Sequence, residues 1–513
     1  MQEVPTDGFV ADESRLQGCA SKAFLVQSES GIAAVLEQAH AAGIGVTTQG
    51  GLTGITGAAV PQDGYVLNLR NLRRVVGLRR DHEGFLLRAE PGCTLDGIRR
   101  LLLEPDKMDV HGWSDESRVA WEELCRAPIQ MFAPDLTETG ATLGGVVSTN
   151  GSGARSYRYG AARGHIAALR VVLVNGDVLH VQRGQYFAQR LRFRLQGESG
   201  RMYEGILPSY TMPAVKHAAG YYARENMDLL DLFIGAEGTL GVISELEIRL
   251  MPQPEQVAGL TMFLPSEAAA LQLVELVRSC RHDVQAIEYF SAQALDLLRQ
   301  ASPANEAGGM AIPRLAEDWH TALYVEVCTT GAGELEDLVG MLESVGGDSA
   351  ATWLAEGYQE IETLKGIRHA IPERINAWIA AQRKSWPEVT KLGTDLAVPD
   401  AHLRDVMRMY HKDLQEAKLA YVIFGHIGNN HVHVNILPRN QDEWQQGKTL
   451  YAQWAERVIA MGGTVSAEHG IGKLKAGMLR MQFGDAGIAA MQAVKAVFDP
   501  DFLLNRGTLF TVD

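Results

Sequence analysis

Three imidazoles fall within eight residues, in the run Phe424-Gly425-His426-Ile427-Gly428-Asn429-Asn430-His431-Val432-His433-Val434-Asn435. Neutral imidazole is a good ligand for a divalent metal ion. Residues 421–437 read as strand-rich, and in a strand alternate side chains share a face. His431, His433 and Asn435 then look one way, while Val432, Val434 and Ile436 look the other. His426 lies upstream of a Gly-Asn turn that can fold it back. Taken one at a time, each histidine also fits the polar face of a strand turned to water. Glu468-His469-Gly470, further along, tips the set toward chemistry. Glu468 adds the acid that a histidine-bound metal commonly takes, and the glycine lets the backbone turn tightly beside it.

Glycines supply the second signal. They cluster at 43–64, 140–164 and 235–241, each time beside a short β-branched run. Glycine backbone N–H groups can approach a ligand closely, and several together make an anion-binding concavity suited to a pyrophosphate. The three turns are Gln49-Gly50-Gly51-Leu52-Thr53-Gly54, the stretch 134–153 and Gly235-Ala236-Glu237-Gly238-Thr239-Leu240-Gly241. None is a G-x-G-x-x-G fingerprint opening a helix, and none is a Walker loop. That argues against NAD and ATP as the nucleotide held.

These residues need elements to place them. Residues 31–42 read as a helix with Ser30 as N-cap and Gly43 as a left-handed stop. Strands are expected at 44–48, 65–69, 85–89 and 242–250, with a hairpin at Asn175-Gly176 inside 168–181. Met251-Pro252-Gln253-Pro254 breaks the pattern and is a natural boundary. Beyond it, helices are expected at 266–280 and 401–418 and a strand at 323–327. Helical spacing over 353–378 is expected to be interrupted by Pro372. The texture is that of an antiparallel sheet with covering helices. Residues 104–132 take no clear assignment.

At 513 residues, two or three packed units are expected. With 46% hydrophobic and 21% charged residues, the composition is that of a globular chain. A net charge of -15 repels polyanions, so nucleic acid is not an expected partner. No stretch nears the ~20 apolar residues of a membrane span, and residues 1–30 lack the layout of a secretory signal. The cytoplasm is the expected compartment, and peripheral contact with a membrane or a homodimer is compatible with the sequence. The five cysteines are scattered, without a C-x-x-C pair, which excludes the usual iron–sulfur and thiolate-zinc patterns.

Together these motifs resemble the FAD-linked oxidases of the vanillyl-alcohol-oxidase fold. The resemblance rests on Gln49-Gly-Gly-Leu-Thr-Gly54, Gly144-Gly-Val-Val-Ser-Thr-Asn150 and Gly235-Ala-Glu-Gly-Thr-Leu-Gly241. It implies an α+β chain: a two-part FAD-binding domain over 1–254, an antiparallel-sheet-plus-helices substrate domain over 255–480, and a segment 481–513 returning to the first. It implies that Gly50, Gly51, Thr53 and Gly54 wrap the pyrophosphate. Pro134, Asp135, Thr139, Gly140, Gly145, Ser148 and Thr149 would line the same FAD, and Glu237, Gly238 and Ile243 would close over its adenosine end. Asn505, in Asp499-Pro-Asp-Phe-Leu-Leu-Asn505, would lie near the ring system. Thr48-Gln49 stands where the family has Pro-Arg, and Arg506 where it has Pro. The first turn lacks a His, Tyr or Cys tether, so the FAD is expected to be non-covalent.

His426-x-Gly-x-x-x-x-His433-x-Asn435 with Glu468-His469-Gly470 resembles the D-lactate, D-2-hydroxyglutarate and glycolate dehydrogenase branch. By position, this implies His426, His433 and Glu468 as ligands of a divalent metal (zinc, manganese or iron) and His469 as general base. His431 stands where the branch has Asn, and its role stays open between ligand, supporting donor and substrate contact. The implied reaction oxidises a D-2-hydroxy acid by hydride transfer to flavin. A metal on the hydroxyl oxygen would lower its pKa, and an imidazole, ordinarily near pKa ~6.5, would take the proton. Asn435 would hold a substrate oxygen. Arg368 would meet the substrate carboxylate, with Arg374 and Lys391 as rivals. Electrons would leave to a quinone, a cytochrome or an electron-transfer flavoprotein. Two other readings are a metal-free sugar or aryl-alcohol oxidase of the same fold and a metal-dependent hydrolase with merely structural glycine turns.

Overall fold

The computed structural model describes residues 2–300 and 315–511; Met1, 301–314 and 512–513 of the expected domains lie outside them. The chain opens as a four-stranded sheet in the order Gln2–Val4, Lys22–Leu25, Tyr65–Asn68, Val46–Gln49. The last three run parallel, as a helical crossover requires. That crossover is the Glu29–Ala41 helix, which buries Ile32, Val35, Leu36 and Ala39 at helical spacing. Its N-cap is Ser28 rather than Ser30: Ser28 is extended and its Oγ accepts from Gly31 N at 3.1 Å. The two-residue shift puts Glu29 in the first turn, where a carboxylate suits the helix dipole. Gly43, at φ +67, ends the helix.

A five-stranded antiparallel sheet follows, ordered Val75–Asp81, Gly84–Ala89, Val242–Arg249, Ile166–Val172, Val178–Gln182. Within the unassigned stretch 104–132 lies a helix, Asp115–Arg126, capped by Ser114. It lays Ala120, Trp121 and Leu124 onto this sheet.

The second half is built on seven antiparallel strands. Their order is Trp353–Glu356, Val257–Leu264, Thr321–Cys328, Val284–Phe290, Tyr421–Gly425, His433–Ile436, Leu392–Gly393. Alternation splits each strand between two cores. Leu323, Val325 and Ile423 face the helices Glu267–Ser279 and Leu403–Glu416. Ala322, Tyr324, Val422 and Phe424 join Leu295, Ile371 and Ile375 in a separate cluster. Covered on both faces, Val257–Leu264 and Val284–Phe290 are buried at every position.

Two expectations over this half are corrected. Residues 353–378 are not one interrupted helix: Trp353–Glu356 is a strand, and Tyr358–Arg383 runs as a single helix through Pro372. Proline inside a helix costs about 3 kcal/mol. Ile361, Ile371, Ile375 and Ile379 are buried on both sides of it, so packing outweighs that cost. His431 is not on the strand, which begins at His433.

Two helical stretches within Ala476–Phe498, broken at Gly484 where φ is +67, lead into a segment that rejoins the first sheet, where Val46 N donates to Leu503 O and Asn505 N to Val46 O, both at 2.8 Å. Elsewhere the fold is tight enough to forbid a methyl group. A Cβ at Gly153 would sit 1.7 Å from Asp135 O. Gly153→Ala is expected to destabilise the protein by ~1–3 kcal/mol, read as a lower denaturant midpoint; an unchanged midpoint would contradict that packing.

Candidate active site

A cavity of ≈ 730 Å³ lies between the glycine turns and the seven-stranded sheet. The turns brace one another. A Cβ on Gly50 would stand 2.3 Å from Thr142 Oγ1, and one on Gly51 3.0 Å from Gly140 O. Asn505 clips the first turn to the third: its Oδ1 accepts from Thr48 N at 2.8 Å and its Nδ2 donates to Glu237 O at 2.7 Å. Gly50, Gly51, Thr53, Gly54, Gly145, Ser148, Thr149, Glu237, Gly238, Ile243 and Asn505 all line the cavity. Pro134, Asp135, Thr139 and Gly140 do not line it; Leu136, Thr137 and Ala141 stand there instead. Asp135 looks toward Arg155 and Lys365, each at 3.8 Å. Gln49 is turned into the protein, donating to Phe9 O and Ala59 O at 2.7 Å.

The opposite wall carries the histidines. Residues two apart on one strand, His433 and Asn435 both reach the cavity. Gly425, at φ +124, makes room for the His433 ring, which a Cβ there would approach to 2.8 Å. Ile427–Asn429 forms a short 3-10 turn, and Asn430 takes the left-handed conformation at φ +53. That reversal brings His431 back beside His426, with ring centroids 5.4 Å apart.

Glu468 is the meeting point. Its carboxylate lies 3.2 Å from His426 Nε2, 3.3 Å from His433 Nε2 and 3.8 Å from His431 Nδ1. One ligand atom from each of these four residues falls within 4.8 Å of the others. The set fits a divalent metal, since it combines imidazole nitrogens with a carboxylate. Lys216 Nζ also sits 2.6 Å from Glu468. Burial opposes charge on Glu468, but Lys216 and then His426 hold its carboxyl well below the usual range. For His426 burial is likewise the larger influence, yet Glu288 and Glu468 outweigh it and raise its pKa. His431 is pushed down to about 3 by burial and is therefore neutral. His469 borders the cavity, its Nε2 3.2 Å from Glu468 and its Nδ1 3.6 Å from Asp395.

Asp395 escaped the reading of the sequence, although it organises the whole loop. It accepts from the backbone of Glu468 and His469, each at 3.1 Å, and from Ser466 Oγ and Lys475 Nζ, each at 2.7 Å. A lone acid in the apolar stretch 392–398 was the available signal. Lys216 and Glu288 were missed as well, and their distance along the chain left no local pattern. Arg368 lines the cavity, with its Nε 3.2 Å from Glu288 and its NH2 donating to Thr137 Oγ1 at 3.0 Å. Glu288 in turn meets His426 Nδ1 at 2.7 Å. Lys391 also lines the cavity and has no ion pair or hydrogen bond among the described residues, and enclosure lowers its pKa. Arg374 is not on the wall. Thr48 Oγ1, Ser152 Oγ and Asn435 Oδ1 belong to residues lining the cavity and are buried without a hydrogen-bond partner among the described residues. Such groups are expected to be satisfied by a ligand or water.

The match that decides the family covers residues 253–509, half of the chain, with the model of the FAD linked oxidases, C-terminal domain. The chain belongs to the FAD-linked oxidases. This oxidase also matches the FAD binding domain over residues 20–108 and 119–182, so it is an FAD-dependent enzyme. The gap in that match ends within the Asp115–Arg126 helix, in the stretch that had no assignment. D-lactate dehydrogenase of Anaerostipes hadrus is 26% identical to the oxidase over 98% of this chain and 92% of its own. D-2-hydroxyglutarate dehydrogenase of Stutzerimonas stutzeri (strain A1501) is 26% identical over 93% and 88%. The fold is that of a solved alkyldihydroxyacetonephosphate synthase, with a TM-score of 0.60 and 14% identity over 96% of this chain and 76% of that one. Membership of a flavin family sets aside the hydrolase reading. No helix among the described residues is long and apolar enough to cross a membrane.

Proposed function

We propose that this FAD-linked oxidase converts a D-2-hydroxy acid, of the D-lactate or D-2-hydroxyglutarate type, to the 2-oxo acid. One observation carries the reading: His426, His433, Glu468 and His469 converge on the cavity that the glycine turns wall. Bound FAD, held without a covalent tether, would supply the hydride acceptor, and a zinc, manganese or iron ion on His426, His433 and Glu468 would supply Lewis acidity. The protein's own part is to orient and to move one proton. Asn435, with an unpaired Oδ1 on the wall, holds a substrate oxygen. His469 faces the cavity through its exposed edge and takes the hydroxyl proton. Asp395, beside its Nδ1, keeps the ring oriented and balances the charge that the ring acquires. The substrate's orientation then presents its C2–H to the flavin side of the cavity. Electrons leave the reduced enzyme to a quinone, a cytochrome or an electron-transfer flavoprotein.

Among the cations that line the cavity, Arg368 is engaged by Glu288 and Thr137, whereas Lys391 has no ion pair or hydrogen bond among the described residues and would meet the substrate carboxylate. A charge-assisted hydrogen bond of ~1.5–3 kcal/mol makes Lys391→Met raise KM by roughly 10-fold or more, with a smaller change in kcat. A KM left at the wild-type value would return that role to Arg368. The reading as a whole is tested by mixing the yellow enzyme with D- and L-2-hydroxy acids in the absence of oxygen. Bleaching of the flavin by the D series alone supports it, and no bleaching by any of them refutes it.

A further inference from the structure

His431 is the position at which the histidine set departs from the two-histidine, one-glutamate pattern that the family resemblance implies. Three roles were open to it, and the geometry removes two. It does not line the cavity and its side chain is fully buried, so it does not touch substrate. Its Nδ1 lies 3.8 Å from the nearest oxygen of Glu468, too far to support that carboxylate by a hydrogen bond. That Nδ1 is buried without a hydrogen-bond partner among the described residues, and a buried polar atom of this kind is ordinarily satisfied by a ligand.

The three rings share one construction. His426 meets Glu288 through Nδ1 at 2.7 Å and turns Nε2 toward Glu468. His433 meets Thr394 O through Nδ1 at 3.0 Å and turns Nε2 toward Glu468. His431 stands 3.1 Å from Asp395 through Nε2 and turns Nδ1 toward Glu468. An outer acceptor on one nitrogen, leaving the other to point inward, is how metal-bound imidazoles are oriented. Ligands of one ion at ~2.0–2.2 Å lie roughly 3–4.3 Å apart, so four atoms within 4.8 Å need only small shifts to share it.

We propose that His431 is a third imidazole ligand, so that the centre is a three-histidine, one-carboxylate site. The inference rests on the metal-assisted reading above. An imidazole-rich set of this kind suits zinc or iron, and cobalt(II) can stand in for either.

The test uses the flavin-loaded full chain with cobalt(II). X-ray absorption at the cobalt edge is expected to count three imidazoles in the wild type and two in His431→Asn. Chelator competition is expected to show at least ~100-fold weaker cobalt binding in His431→Asn and His431→Gln, with flavin content unchanged. Variants with wild-type affinity and an unchanged imidazole count overturn the proposal and leave the two-histidine centre standing. A wild type that takes up no cobalt, zinc, manganese or iron overturns both. If neither variant folds, the wild-type count decides alone, and two imidazoles refute the third ligand.

Discussion

His469→Ala is expected to keep its FAD and lose at least ~100-fold in turnover. The ring borders the cavity, while the protein fixes it from behind through Asp395, 3.6 Å from Nδ1. Removing it takes away a proton acceptor and spares the glycine turns, because among the described residues its side chain pairs with Asp395, Glu468 and His433 instead. The Glu468–His469 backbone is held by Asp395 whatever side chain follows. Flavin absorbance per protein and single-turnover bleaching separate the two effects. A yellow His469→Ala enzyme that bleaches as fast as the wild type removes His469 from the mechanism.

On the proposed metal-assisted reading, Glu468→Gln is expected to lose the metal and ~1,000-fold in turnover, because Lewis-acid assistance worth ~4 kcal/mol would disappear with the carboxylate. A second consequence follows from Lys216. Its ammonium is 4% exposed and 2.6 Å from Glu468, so neutralising the acid leaves a buried charge without its counterion. Breaking a buried pair in this way typically costs ~3–5 kcal/mol, and the denaturant midpoint should fall accordingly. Lys216→Met added to Glu468→Gln is expected to recover much of that stability and none of the metal. Elemental analysis and chemical denaturation of the single and double variants read the two effects independently. A single variant that retains full metal content would exclude Glu468 as a ligand.

Local pattern made part of this site readable in advance. Glycine turns announce themselves because only glycine tolerates close backbone approach, and Gln49-Gly-Gly-Leu-Thr-Gly54 does line the cavity. His433 and Asn435 share a face because strand period is two. What stayed hidden depends on contacts remote in sequence. Lys216 meets Glu468 across 252 residues, and Asp395 is defined by a loop more than 70 positions on. Pro372 misled because helix propensity is a local quantity, whereas four buried isoleucines anchor that helix through tertiary packing. Ser28 and Ser30 are both good caps by type. The extended backbone at Ser28, rather than the residue type, chose between them.

The Asn505 clip has a consequence for biosynthesis. It joins positions 457 residues apart, and the strand beside Thr48 is completed by Leu503 and Leu504. Until that stretch leaves the ribosome, the glycine turns, proposed to hold the flavin's pyrophosphate, lack one of their braces. On that reading, flavin capture is expected only at the end of translation, after the earlier sheets have had the chance to form. Nascent chains stalled before residue 505 should carry no flavin fluorescence, and a signal from them would break that link.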